Sequence, residues 1–174
     1  MDHATERSGP ELIADLNDLL ALDHDAIAAY SLAIGRVSRA EYREALAGFR
    51  GDHQRHVEQL TQLIRDRGGV PVQMPHLPSG FFKAAMQALG TLGDDRAVLA
   101  AWKTNEGQVR DKYLRYTQQV YDPAVGTIIG EAAADEERHY AWGEQVLAQL
   151  GVREGTLAHA AQEVVEAVHG RIAD

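Results

Sequence analysis

The chain has 174 residues, of which 45% are hydrophobic, 25% charged and only 6% aromatic, enough for one soluble, helix-rich domain with a sizeable core. A formal net charge of −9 argues against nucleic acid and anionic membrane surfaces as partners, since both need clustered Lys and Arg. The absence of cysteine excludes disulfides, cysteine-ligated zinc and iron–sulfur clusters within these residues.

The segment from Met1 to Ser8 is polar with no apolar stretch behind it, so no secretory signal is expected. No run of about 18 apolar residues is present to span a membrane, and a cytoplasmic location is the default expectation. Pro10 and Glu11 suit a helix first turn, after which Leu12, Leu16, Leu19, Asp23, Ile27, Tyr30 and Ile34 recur every three or four residues. Ser38 to Glu41 has the form of a capping box and predicts a second helix. Its stripe is Tyr42, Leu46, Phe49, His53, His56, Leu60, Leu63 and Ile64, and Gly68 and Gly69 close it.

Pro71, Pro75 and Pro78 exclude regular helix over 70–80, and a short helix is expected over 81–89 within this long connection. Asp94 is placed to cap a third helix with Leu99, Trp102, Glu106, Val109, Tyr113 and Val120 on one face. Asp122 and Pro123 open a fourth, whose stripe of Val125, Ile128, Ala132, Glu136, His139, Val146 and Leu150 ends at Gly151. Leu157, Ala161, Val164, Val168 and Ile172 mark a short fifth amphipathic helix over about 155–172. The expected architecture is all-α: a single domain over 1–174, with a four-helix bundle over about 10–151 and one long crossover at 68–93.

The two halves repeat at an offset of 83 positions. Asp23 and Tyr30 align with Glu106 and Tyr113, and the run Asp52-His53-Gln54-Arg55-His56 aligns with Asp135-Glu136-Glu137-Arg138-His139. Leu16/Leu99, Val37/Val120 and Gly68/Gly151 keep the same offset. The first turn lies midway between positions 23 and 53, and the second midway between 106 and 136. Residues equidistant from a hairpin turn share a level, so Asp23, His53, Glu106 and Glu136 are expected in one layer, with His56 and His139 one turn away at i+3. A separation of about 15 residues at ~1.5 Å rise puts that layer roughly 22 Å down the bundle, in mid-core. Three buried carboxylates without compensation would cost several kcal/mol each. Two bound divalent cations remove that cost, and one acid from each of two helices plus acid-x-x-His elsewhere is a dinuclear carboxylate arrangement.

With these spacings, the Glu136-Glu137-Arg138-His139 motif and the crossover, residues 12–150 resemble the ferritin-like superfamily of rubrerythrins and bacterioferritins. The resemblance implies Asp23 and Glu106 as terminal ligands, Glu136 as a bridging carboxylate, and His56 and His139 as terminal imidazoles. It implies Asp52 and Asp135 as acceptors that orient ligand imidazoles, and Tyr30 and Tyr113 as phenols that hydrogen-bond ligand carboxylates. His53 departs from the family pattern, standing where a second bridging Glu is usual, and Asp23 is a methylene shorter than the usual Glu. Gln54 replaces the Met that bacterioferritins use for haem, so no haem is expected.

The resemblance therefore implies two divalent metal ions, iron first and Mn or Zn as alternatives, with Fe(II) oxidation or reduction of O₂ or peroxide in iron handling or oxidative-stress defence. Homo-oligomerisation stays open. Two other readings stand beside this one: a non-catalytic bundle with a mononuclear, structural or degenerate site, supported by His53, and an oligomerisation module whose polar layer is a hydrogen-bonded network. His24 and Asp25 are expected to be solvated, and His3, His76, His159 and His169 to lie on the surface.

Overall fold

The computed structural model describes residues 6–73 and 94–152, and every regular element among them is an α-helix. Helix α1 runs Gly9–Ile34, α2 Ala40–Asp66, α3 Asp95–Tyr116 and α4 Pro123–Gln149. The expected helix over 81–89, the fifth helix over 155–172, Pro75, Pro78, His3, His76, His159 and His169 fall outside the described residues.

The helix ends follow local chemistry. Asp94 Oδ1 accepts from Arg96 N at 2.9 Å, and Asp122 Oδ1 accepts from Ala124 N at 3.0 Å and Val125 N at 3.2 Å, which satisfies backbone donors that α3 and α4 cannot. Gly68 and Gly151, the two glycines related by the repeat, sit at φ 72° and 77° just past α2 and α4. The next N–H in each case reaches back five residues, Gly69 to Ile64 O and Val152 to Leu147 O, both at 2.9 Å. One expected cap is different. Ser38 does not cap α2, whose N-cap is Arg39 with no side-chain capping bond to the helix's backbone. Instead Ser38 N and Oγ donate to Asp95 at 2.6 and 2.9 Å, so a carboxylate at the start of α3 serves the donors at the start of α2.

These end contacts also fix the topology. Asp95 meets Ser38 at one end of the bundle, while Arg67 pairs with Asp122 at 2.6 Å at the other. Residues 67 and 94 therefore lie at opposite ends of the bundle, and α1 lies antiparallel to α3 as α2 does to α4. Lys112 and Tyr116 near the end of α3 bind Asp18 near the start of α1, as this direction requires. α1 packs on α2 and α3, and α4 on α3 and α2.

Leu16, Leu19, Leu20, Leu60, Ile64 and Ile129 fill the core on one side of the mid-bundle level, and Leu46, Leu99 and Trp102 fill it on the other. Each such side chain contributes about 1.5–3 kcal/mol by burial. Helices α3 and α4 approach closely where Gly143 faces Trp102: a Cβ there would lie 2.8 Å from the indole ring. Two apolar halves thus clamp one polar layer between them.

Candidate metal centre

All six expected ligands converge. Asp23 comes from α1, His53 and His56 from α2, Glu106 from α3, and Glu136 and His139 from α4. Each is at most 2% exposed. The i, i+3 spacing on α2 and on α4 puts each pair on one inward face. His53 Nδ1 lies 2.8 Å from Asp23 Oδ1 and 3.6 Å from Glu136 Oε1. His56 Nδ1 lies 3.5 Å from Asp23 Oδ1 and 3.6 Å from the same Glu136 oxygen. On the other side, His139 Nδ1 is 3.1 Å from Glu106 Oε1 and 3.7 Å from Glu136 Oε2. Glu136 thus turns one oxygen to each side. The six form two overlapping groups, Asp23/His53/His56/Glu136 and His53/Glu106/Glu136/His139, with ligand atoms within 4.8 Å of one another in each.

Several of these atoms lack partners among the protein's own groups. Both Glu136 oxygens, Glu106 Oε2, His53 Nε2 and His56 Nδ1 are buried without a hydrogen bond. An unsatisfied buried polar group costs about 1–3 kcal/mol, and more when charged. Burial, followed by the nearby Glu106 and Asp23, pushes the Glu136 carboxyl well above the usual carboxylate range. Burial also pushes Asp23 and Glu106 up, but the hydrogen bond with His53 and the nearby His56 for Asp23, and the hydrogen bond with His139 for Glu106, outweigh it and leave both below their ordinary values. The donor set fits divalent cations: carboxylate oxygens to balance charge, imidazole nitrogens with inward lone pairs, and orphaned atoms facing one another.

A ring of ion pairs fixes the histidines from outside. His139 Nε2 contacts Asp52 Oδ2 at 3.0 Å, and His56 Nε2 contacts Asp135 Oδ2 at 3.1 Å, so each motif's Asp serves the other motif's imidazole. With the outer nitrogen held as a donor, the neutral imidazole would turn an Nδ1 lone pair inward, the form that ligates a cation. Arg55 pairs with Asp52 at 2.7 Å and with Asp135, while Arg138 pairs with Asp52 at 2.6 Å and with Asp135 at 2.5 Å. Burial raises the Asp52 carboxyl, but bonds to His139 and Arg55 bring it down to about 2, so it stays ionised.

The two expected phenols part company. Tyr113 donates to Asp23 Oδ2 at 2.6 Å, whereas the Tyr30 hydroxyl makes no hydrogen bond and its ring packs 5.0 Å from His53. Tyr30 therefore builds the wall, together with Phe49, 4.4 Å from the His139 ring, and Trp102, 5.5 Å from Tyr30. His24 and Asp25 are half-buried rather than solvated. Sequence reasoning assigned no role to Arg55 and Arg138, although both keep the 83-residue offset, and it gave Trp102 no place beside the site. A surface pocket of about 350 Å³ between α2 and α4, lined by Arg55, Gln59, Glu131 and Asp135 among others, reaches His56.

No helix among the described residues is long and apolar enough to cross a membrane. No curated protein and no solved structure matches the chain. Residues 11–119, which carry Asp23, His53, His56 and Glu106 through α1, α2 and α3, match the family described as Domain of unknown function (DUF2383). With well over half its length matched, this helical-bundle chain is a member of the DUF2383 family.

Proposed function

We propose that the chain is a ferritin-like dinuclear metal protein, holding iron in preference to Mn or Zn, that oxidises Fe(II) or reduces O₂ or peroxide in iron handling or oxidative-stress defence. One observation carries the reading: three carboxylates and three imidazoles from four helices form two overlapping groups, and the Glu136 carboxylate turns an unpartnered oxygen to each. Asp23, His56 and Glu136 would hold one ion and Glu106, Glu136 and His139 the other, with His53 in the ligand groups of both. Two bound Fe(II) ions would each supply one electron, so that a peroxide is reduced to water with uptake of two protons.

The chain's own groups prepare that chemistry. Asp52 and Asp135 set the imidazole tautomers, and Tyr113 holds one Asp23 oxygen while leaving Oδ1 turned to His53. Tyr30, Phe49 and Trp102 exclude water on one side, and the pocket beside His56 gives small molecules a way in on the other. Stopped-flow mixing of the Fe(II)-loaded protein with O₂ or peroxide tests the reaction. Growth of ferric absorption faster than for free Fe(II) is expected, and its absence would remove the redox reading.

A second reading has a specific observation behind it. Asp23, His53, His56 and Glu136 alone make a four-donor buried set of the kind that closes a structural zinc site. One tightly bound zinc per chain, with no capacity for a second ion, would favour it.

A further inference from the structure

We propose that divalent ions reach and leave the centre through the pocket between α2 and α4, where the ring of Asp52, Arg55, Asp135 and Arg138 is a latch that an incoming cation displaces. The inference rests on the metal reading above and adds to it a path, a first binding point and the residues that set the rate of exchange.

The cover over the ligands is uneven. Along the bundle axis the layer is closed by Leu16, Leu20 and Ile64 in one direction and by Leu46, Leu99 and Trp102 in the other, all fully buried. A hydrated ion crossing either would give up its water to apolar side chains. Between α2 and α4 the cover is thinner. These helices touch least of the four neighbouring pairs, and the pocket of about 350 Å³ in their seam has small or polar walls, among them Gln59, Glu131, Ala134 and Asp135. Of the six expected ligands only His56 lines it, and His56 Nδ1 is one of the buried atoms without a partner. An ion in this pocket meets ligating groups in order of depth. Glu131 is exposed, and Asp135 follows one turn along α4 with its side chain 15% exposed. Behind them come His56 at 2% and Glu136 at 0%.

The latch stands at the step from Asp135 to His56. Asp135 Oδ2 accepts from both Arg55 and His56 Nε2, and Asp52 Oδ2 likewise accepts from both Arg138 and His139 Nε2. Each arginine therefore sits on the oxygen that orients an inner imidazole. Two carboxylates and two guanidinium groups cancel in charge, so the closed ring offers an approaching cation no net attraction. When Arg55 swings out, Asp135 presents a free carboxylate near Glu131, and the cation takes the place of the guanidinium. One positive group is exchanged for another. The arginines are already 47% and 53% exposed and stay solvated on release. Ion pairs this exposed hold little free energy, so the latch sets the speed of exchange and leaves the equilibrium to the ligands.

The test is the rate of Zn²⁺ uptake by the metal-free full chain, and of its release to excess chelator, by stopped-flow absorption, with affinity measured separately by competition. Arg55→Gln should speed uptake and release together by about fivefold, the scale of one exposed ion pair, and leave the affinity within about twofold because Arg138 still holds Asp135. Ala134→Phe, at an exposed position on the pocket wall, should slow both rates and also spare the affinity. Glu131→Gln should slow uptake, more so at low ionic strength than at high. Circular dichroism of the metal-free variants checks that they fold. Rates that neither Arg55→Gln nor Ala134→Phe moves would overturn the route. Faster release alone in Arg55→Gln, with affinity weakened to match, would overturn the latch and make Arg55 a residue that only positions His56. Either result leaves the metal reading standing, whereas a chain that takes up no Zn²⁺ would overturn both.

Discussion

Replacing Asp52 by Asn removes a charge from the ring outside the site without changing side-chain shape. In the folded chain its carboxylate accepts from buried His139 at 3.0 Å and pairs with Arg55 and Arg138 at 2.7 and 2.6 Å. The fall of its pKa from 3.8 to about 2 corresponds to roughly 2 kcal/mol in favour of the folded ionised form. Both arginines are about half exposed, at 47% and 53%, so solvent screening reduces their share. A loss of about 1–2 kcal/mol at neutral pH is expected, within the range for a hydrogen bond to a charged group. The sign with pH follows from the direction of the shift. A depressed folded pKa gives stability that is present above the unfolded value of 3.8 and lost as pH falls through about 2. Urea unfolding of metal-free wild type and Asp52→Asn should therefore show a gap that is constant near neutrality and begins to close below about pH 4. A variant as stable as wild type at neutral pH, or a gap that does not shrink in acid, would refute the assignment.

Other consequences are equally open to measurement. Glu136 is held well above the carboxylate range in the metal-free chain, so stability at this site is lost as pH rises from the ordinary carboxylate value through the raised folded value; Glu136→Gln should flatten that slope in urea unfolding and abolish stabilisation by added metal. Burial lowers the His56 imidazole, but Asp23 and Asp135 outweigh it and raise its pKa, so protons compete with metal for His56 and Glu136. Calorimetric titrations in two buffers of different ionisation enthalpy should give different apparent heats at neutral pH, and equal heats would contradict the proton release. Gly143→Ala places a methyl 2.8 Å from the buried Trp102 ring, and overpacking of about 1–3 kcal/mol should outweigh the ~1 kcal/mol that Ala gains in a helix. A Gly143→Ala chain with a higher unfolding midpoint would show that the α3–α4 contact yields more easily than its geometry indicates.

The position of the layer was legible because helix periodicity and the hairpin offset act on the same residues. Asp23, His53, Glu106 and Glu136 share a distance from their turns, and antiparallel packing converts that into a shared level. The αL glycines at 68 and 151 were legible for a similar reason, since a conformation that suits glycine recurs at both helix ends. The exchange of partners, Asp52 with His139 and Asp135 with His56, depends on which helices are neighbours across the bundle, and no single-helix pattern encodes that. Ser38 was misread because Asp95, 57 residues away in sequence, competes for its hydroxyl and backbone N–H. Tyr30 and Tyr113 occupy equivalent repeat positions, yet only Tyr113 faces the shorter Asp23, whose Oδ2 it can reach.

Anaerobic titration of the metal-free chain with Fe(II), read as ions bound per chain and as thermal midpoint, probes the centre most directly. Two Fe(II) per wild-type chain, a midpoint that rises with each, and loss of both effects in Glu136→Ala are the expected results. Fewer than one ion per chain, with a midpoint indifferent to iron, would mean that the buried acids and imidazoles are held by protons and hydrogen bonds alone.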